Sequence, residues 1–399
     1  MKNIFKPFMA LALAFALGMT LSLSSPAHAE AWPEAVRIGV IASIDKAGNT
    51  VMAGTSPLVD RVIKEGWLEK ELTQRGIKLE WYPLAGNAGT GSVTNEAFAS
   101  GRIDFANYGD LPSIILNAGG VRTHVVVPSG RGSDMTLLVP VNSKIVSIQE
   151  LKGKRVSVHK GRPWELGFIK AAESAGLTYK DFQIFNINPQ AGAAALASGK
   201  VDAHFDIGGE LLQLKGIGRI IWDTKGKPLH FKMRAELWGA RAFTEKYPET
   251  TQLVATAYIK AAHWAAQEKN RDEIIRIGTR TGTPEEVVRK NYDDPTLGWK
   301  DRWTPLFDQV VYDHYREVTA FARAHKQIRR DVDANELLEP KFVRQALKTL
   351  KLEDFWTPAE TAEKITKATK EATPTAEPTK TAGKTNTAAK TSSTGKRAP

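Results

Sequence analysis

Apolar residues in this chain fall into short runs that alternate between strand-like and helix-like spacing. Val36 to Ile41 reads as a strand, followed by a polar stretch from Ser43 to Thr55. Ser56-Pro57 then opens a helix through Leu58, Val59, Val62 and Ile63, with a cap residue followed by proline. Trp67 to Arg75 continues as a second helix ending at Gly76, and Lys78 to Tyr82 is a strand. A glycine-rich loop from Ala85 to Gly91, a helix to Ser100 and a strand from Ile103 to Asn107 come next. Asp110-Leu111-Pro112 caps the following helix, and Thr123 to Pro128 is another strand. This alternation predicts a mostly parallel sheet covered by helices.

A second unit follows the same rhythm. Met135 to Pro140 and Arg155 to Val158 read as strands, the second leading through His159 to Glu165 into a helix that ends near Ala175. Phe182 to Ile187 and Arg219 to Trp222 are strands, and Ala191 to Ser198 is a helix. Beyond Thr244 the spacing becomes helical: Pro248 to Gln267, Asn270 to Arg280, Pro284 to Tyr292, Pro305 to His325 and Glu339 to Leu350. A helical last third suits a chain that returns to wrap its first lobe.

The two units share a near-repeat. Ala99-Ser100-Gly101-Arg102-Ile103-Asp104 recurs as Ala197-Ser198-Gly199-Lys200-Val201-Asp202. Each copy ends a helix at a glycine suited to the left-handed position, then starts a strand. Two similar α/β lobes are expected, with their ligand-facing loops at the carboxyl ends of the strands. The residues beyond each copy, Tyr108-Gly109-Asp110 and Phe205-Asp206, would face one cleft.

The chain ends change the picture of charge and location. Lys2, Lys6, the apolar run from Phe8 to Leu23 and Ala27-His28-Ala29 form a secretory signal, with cleavage expected after Ala29. The alternative, a membrane anchor, needs an apolar run of about 20 residues. Residues 358–399 read as a disordered basic tail of Thr, Lys and Ala, almost uniform from Thr366 onward. The signal and the tail hold much of the formal net charge of +11, so nucleic-acid binding is not indicated. There is no cysteine, hence no disulfide and no thiolate metal site. The eight histidines are scattered and suggest no metal or cofactor. No nucleophile elbow, metalloprotease helix or P-loop is present, and no enzymatic activity is expected.

In order and spacing, Lys152-Gly153-Lys154-Arg155-Val156, Lys160-Gly161, the turn Ala175 to Thr178 and the second repeat resemble solute-binding proteins of the nitrate, sulfonate and taurine import class. Tyr108-Gly109-Asp110-Leu111-Pro112 is similar to the Gly-Asp-x-Pro corner of aliphatic sulfonate-binding proteins, as is Trp238-Gly239-Ala240-Arg241 leading to Phe243 and Pro248. The resemblance implies an α/β type II periplasmic binding fold, with two lobes, two hinge crossings and closure on a ligand. Lobe one would span 30–134 and 236–357, and lobe two 135–235. The crossings would lie near Ser133 to Thr136 and Met233 to Trp238. It implies a periplasmic monomer that carries a small organic anion to the membrane permease of an ABC importer. One place departs from the common sulfonate pattern. After Lys160-Gly161 that pattern has small hydroxylated residues, whereas this chain has Arg162-Pro163-Trp164-Glu165.

A sulfonate or nitrate accepts hydrogen bonds and carries permanent negative charge, so it suits helix N-termini and arginine. The candidate ligand-binding residues are Ser43, Asn87, Thr90, Gly91, Tyr108, Gly109, Asp110, Arg131, Lys160, Gly161, Arg162, Trp164, Phe205, Asp206 and Trp238. Arg131 and Arg162 could hold the anion. Tyr108, Trp164, Phe205 and Trp238 could line an organic portion, or could equally be core. Asp110 and Asp206 read as architecture, with Asp110 as a helix N-cap, because a carboxylate would repel the anion. His159 reads as an ordinary strand-end histidine. An aliphatic or aryl sulfonate is the expected ligand. Nitrate or a pyrimidine-like heterocycle is the alternative within the binding class. An enzyme of precursor metabolism or a sensor subunit on the same fold remains the alternative outside it.

Overall fold

The computed structural model describes residues 32–44, 50–51, 56–85 and 90–359. The signal, and the tail beyond residue 359, lie outside that range. The chain first lays down β1 (Ala35–Ile44), β2 (Thr50–Val51), α1 (Pro57–Glu65), α2 (Trp67–Thr73), β3 (Lys78–Ala85), α3 (Thr90–Ala99), β4 (Phe105–Gly109), α4 (Asp110–Gly119) and β5 (Thr123–Val127). It crosses over and builds β6 (Thr136–Pro140), β7 (Arg155–Ser157), α5 (Pro163–Ser174), β8 (Gln183–Phe185), α6 (Pro189–Ala197), β9 (Ala203–Asp206), α7 (Gly209–Leu214) and β10 (Gly218–Asp223). It then returns as β11 (Ala235–Ala240), α8 (Arg241–Lys246), α9 (Pro248–Ala265), α10 (Arg271–Thr279), α11 (Glu285–Asn291), α12 (Trp299–Arg302), α13 (Gln309–Ala324) and α14 (Lys341–Leu350). No helix among the described residues is long and apolar enough to cross a membrane.

Two sheets result, and they share one topology. The first runs β3-β1-β4-β11-β5, with β2 paired to the end of β1, and the second runs β8-β7-β9-β6-β10. In each of these five-strand orders, four strands run parallel and one, the fourth in the order, is antiparallel. That antiparallel strand, β11 or β6, is the one the chain lays down on arriving from the other sheet. The sheets are therefore mixed, mostly parallel as the alternation of elements predicts, with one reversed strand in each. The second crossing also ends earlier than expected. Residues 235–240 already pair in the first sheet, which buries Trp238 in its core instead of leaving it at a hinge.

The near-repeat makes the same contact in both halves. Gly101 and Gly199 take left-handed φ angles of 68° and 69°. Asp104 and Asp202 each accept the backbone N–H of an arginine in the first residues of the neighbouring strand, Arg37 at 2.8 Å and Arg155 at 2.9 Å. Each aspartate returns its own N–H to that arginine's carbonyl, at 2.8 Å in both cases. The repeat thus pins the central strand of each sheet to the strand beside it.

Where the crossings meet, Ser133 and Met233 exchange backbone hydrogen bonds of 2.9 and 3.2 Å. Gly132 permits this approach: its φ is 94°, and a Cβ there would fall 2.5 Å from the Met233 carbonyl oxygen. Lys232 is fully buried and bonds both Asp134, on the first crossing, and Asp294, from the segment after α11 (2.5 Å). Arg234 pairs with Glu236 at 2.6 Å and donates to the Gly130 carbonyl at 2.9 Å. The C-terminal helices pack largely on the first sheet, around α9 and α4, but α11 also meets α7 and α13 approaches α5.

The twin aspartates differ electrostatically. Burial raises the Asp104 pKa to about 6, outweighing the Arg37 hydrogen bond, whereas the Arg155 side chain lowers that of Asp202. Ionising Asp104 therefore costs folded-state stability as pH rises from about 4 to about 6. In chemical denaturation, Asp104→Asn should gain on the wild type by roughly 2–3 kcal/mol between pH 4 and pH 8. Asp202→Asn should lose ground over the acid range. A difference for Asp104→Asn that does not change with pH contradicts this reading.

Candidate functional site

A cavity of about 660 Å³ lies between the sheets and is floored by the crossings at Gly132, Ser133, Asp134 and Met233. The first sheet contributes residues from β1, the start of α1, Gly91 and the β4–α4 corner. The second contributes His159, Arg162, Pro163, Trp164, Pro189, Gln190, Ile207 and Glu210. The C-terminal segment adds Thr281, Asn291, Tyr292, Arg302 and Trp303.

The β7–α5 corner holds the chemistry. Arg162 is the residue preceding α5, and Pro163 opens the helix with no side-chain cap. Its guanidinium reaches across to the first turn of α3, where a Cβ on Gly91 would lie 2.5 Å from Nη1. Pro163 lies against Gly109 so closely that a Cβ there would fall 2.3 Å from its ring. These two glycines let the corners of the two sheets meet. The Arg162 guanidinium stacks over Trp164, 5.1 Å from the ring centroid. Among the described residues its Nε has no hydrogen-bond partner, and neither do Trp164 Nε1 or His159 Nδ1 beside it. All three atoms are buried. Burial alone lowers the Arg162 pKa, with no carboxylate opposing it. Burial and then the Arg162 charge also lower that of His159, which keeps the imidazole neutral. The α3 first turn carries no acidic residue. A desolvated guanidinium and an indole N–H therefore lie at one cavity wall beside the α3 N-terminus, and no acid is paired with Arg162 among the described residues.

Glu165 holds this corner in shape. Its Oε2 accepts the Gly161 N–H at 2.6 Å and the Gln327 amide at 2.7 Å, and its Oε1 accepts the Tyr179 hydroxyl at 3.2 Å. Gln327 follows α13, so the corner is tied to the C-terminal segment that packs on the first sheet.

The structure brings Gly91, Tyr108, Gly109, Arg162 and Trp164 to the cavity wall and sets other candidates elsewhere. The Tyr108 ring is buried between Phe98 and Trp238. Trp238 is wholly buried against Tyr315, and Phe205 is packed between Phe168 and Trp222. These three aromatic side chains are core. Arg131 is 2 % exposed and paired with Asp308 at 2.6 Å, so its charge is already met. The Lys160 side chain is exposed and lies over the Tyr179 ring, and the Gly161 N–H belongs to Glu165. Asp110 is not an N-cap: Gly109 holds that place. Asp110 is the first helical residue, and its carboxylate bonds His314 at 2.6 Å. The Asp206 carbonyl accepts the Thr136 hydroxyl at 2.9 Å, while its carboxylate sits 3.6 Å from His204. Asn87 lies outside the described residues, as do the side chains of Ser43 and Thr90.

His159, read from the sequence as an ordinary strand-end histidine, lines the cavity, as do Gln190, Tyr292, Arg302 and Trp303, which the sequence did not single out. The Asn188-Pro189 start of α6 is a cap signal that could have flagged Gln190. Nothing local in the chain marks residues 281–303 as facing a cleft.

Residues 68–271 match the family described as NMT1/THI5 like. The structure is similar to the periplasmic sulfonate-binding protein SsuA of Methylobacillus flagellatus KT. The two are 46 % identical, the match covers 82 % of this chain and 98 % of that one, and the TM-score is 0.74. An aliphatic sulfonates-binding protein of Escherichia coli K12 is 28 % identical over 300 residues, 73 % of this chain and 84 % of that protein. The desulfurization enzyme DszB shares the fold at 16 % identity, over 80 % of this chain and 100 % of that one, with a TM-score of 0.59.

Arg162→Ala removes the uncompensated cation. Calorimetry should show anion affinity weakened by about 1.5–3 kcal/mol, the worth of a charge-assisted bond. The ligand-free variant should be no less stable than the wild type. Unchanged affinity would remove Arg162 from the site.

Proposed function

This chain belongs to the NMT1/THI5-like family, and on that footing we propose that it is the periplasmic substrate-binding component of an ABC importer. Its ligand is a small organic anion, an aliphatic or aryl sulfonate. The observation that carries the reading is the trio of buried, unpartnered nitrogens at the cavity wall: Arg162 Nε, Trp164 Nε1 and His159 Nδ1. Buried polar groups are almost always hydrogen-bonded, and a buried charge without a partner is costly. A tetrahedral anion with three acceptor oxygens answers all of these at once. The space around it, walled by Trp164, Tyr292, Trp303, Met233 and Ile207, suits an organic substituent. A cavity of about 660 Å³ is far larger than nitrate requires. A neutral heterocycle would leave the Arg162 charge unmet.

Lobe one is residues 30–134 with 236–357, and lobe two is 135–235. They bend about the crossings at 128–135 and 224–234, so that Arg162 meets the α3 N-terminus only when the cleft is closed. The signal is cleaved after Ala29, and the mature protein works as a monomer in the periplasm, delivering its cargo to a membrane permease. It binds rather than transforms its ligand, as the sulfonate-binding relatives are named to do.

A thermal-shift panel of alkane- and arenesulfonates, nitrate, phosphonates and pyrimidines tests the reading. A sulfonate at a hundred times its Kd should add roughly 2.7 kcal/mol to stability. No shift with any sulfonate, beside a clear shift with a pyrimidine, refutes it.

A further inference from the structure

The cavity has a second set of unmet polar atoms, away from Arg162. Asp134 stands on the floor, where the first crossing meets the second. Its Oδ1 takes the Lys232 ammonium and, at 2.7 Å, the Thr224 hydroxyl. Its Oδ2 is buried and has no partner among the described residues, and the side chain is 7 % exposed. Arg302 lines the same cavity and is buried, and its Nε is likewise unpartnered, while Nη2 donates to the Tyr292 carbonyl at 2.9 Å. The Arg302 carbonyl accepts the Arg131 N–H at 3.0 Å, which sets Arg302 against the first crossing near Asp134, and both residues line the same cavity. Arg162 packs against Gly91 and Trp164, whereas Asp134 bonds Lys232 on the crossings, so this pair is a separate place in the cavity wall.

The local charges decide what fits between them. Lys232 and Arg302 are positive, and Asp134 and Asp294 are negative, so the cluster is already neutral. A further buried cation would have no counter-charge to offset its desolvation. An ammonium group can donate to Asp134 but has nothing with which to accept from Arg302. A hydroxyl does both, and adds no charge.

Resting on the sulfonate reading above, we infer that the ligand carries a hydroxyl group remote from its anionic head, donating to Asp134 Oδ2 and accepting from Arg302 Nε. The substrate class is a hydroxylated organosulfonate whose apolar middle spans the cavity between Trp164 and the crossings. This gives Asp134 two duties, bracing Lys232 and reading the ligand's far end.

The test is calorimetry with two series of equal chain length, alkanesulfonates from ethane to octane and their ω-hydroxy counterparts. In the wild type, one length should show the hydroxyl ligand binding about tenfold tighter than its plain partner, the effect of meeting an otherwise unsatisfied buried carboxylate. ω-Ammonium ligands of that length should show no such gain. In Asp134→Asn, whatever the hinge does to both affinities, the hydroxyl-to-plain ratio should fall toward one. Equal binding of plain and hydroxyl ligands at every length in the wild type overturns the inference while leaving the sulfonate reading intact. So does a ratio that survives in Asp134→Asn. Failure of every sulfonate to bind overturns both.

Discussion

Lys232 is the point through which the two halves of this protein are held. Its ammonium is fully buried between Asp134 and Asp294, so one residue joins the first crossing, the second crossing and the segment after α11. Breaking a buried pair by removing one partner costs several kcal/mol, because the other charge is left stranded. The crossings therefore act as a braced joint. The brace is continued by Arg234 with Glu236, and by Arg131 with Asp308, which ties the first crossing to the start of α13. With the crossings held together at Lys232, the strand ends of both sheets face each other across them.

That confrontation creates the site. Each sheet follows the same strand order and receives an antiparallel strand from a crossing, so loops at equivalent positions meet over the floor. On one side stand Gly91 and Gly109, bare of side chains. On the other stand Arg162 and Pro163, which fill the space those glycines leave. Two other buried arginines, Arg131 and Arg234, are matched with acids. At Arg162 none is supplied. That contrast between paired and unpaired buried cations is the ground for the proposed anion site at Arg162.

Much of the frame was legible in the residues. The duplicated Ala-Ser-Gly segment pointed to two like units, and Asp104 and Asp202 do make the same clamp on Arg37 and Arg155. Arg162 stood out because it replaced the small residues of the resembling family just before a proline-started helix. The aromatics misled for a physical reason. Tyr108, Phe205 and Trp238 sit on strands next to cleft loops, and side chains on a strand alternate between faces. Nothing in a local pattern says which face meets a core, and all three turned inward. Arg131 stayed a candidate because its partner Asp308 lies far along the chain, where no local pattern points to it. The wall formed by Tyr292, Arg302 and Trp303 depends on how the C-terminal helices return, which no local spacing encodes.

The central claim is that the cleft recognises charge at Arg162 and not merely shape. Calorimetric titration of the wild type with an arenesulfonate and with its uncharged primary sulfonamide separates the two. If the Arg162 charge governs recognition, the sulfonate binds at least about a hundredfold more tightly than the sulfonamide. Equal affinities, or a preference for the sulfonamide, would contradict the account.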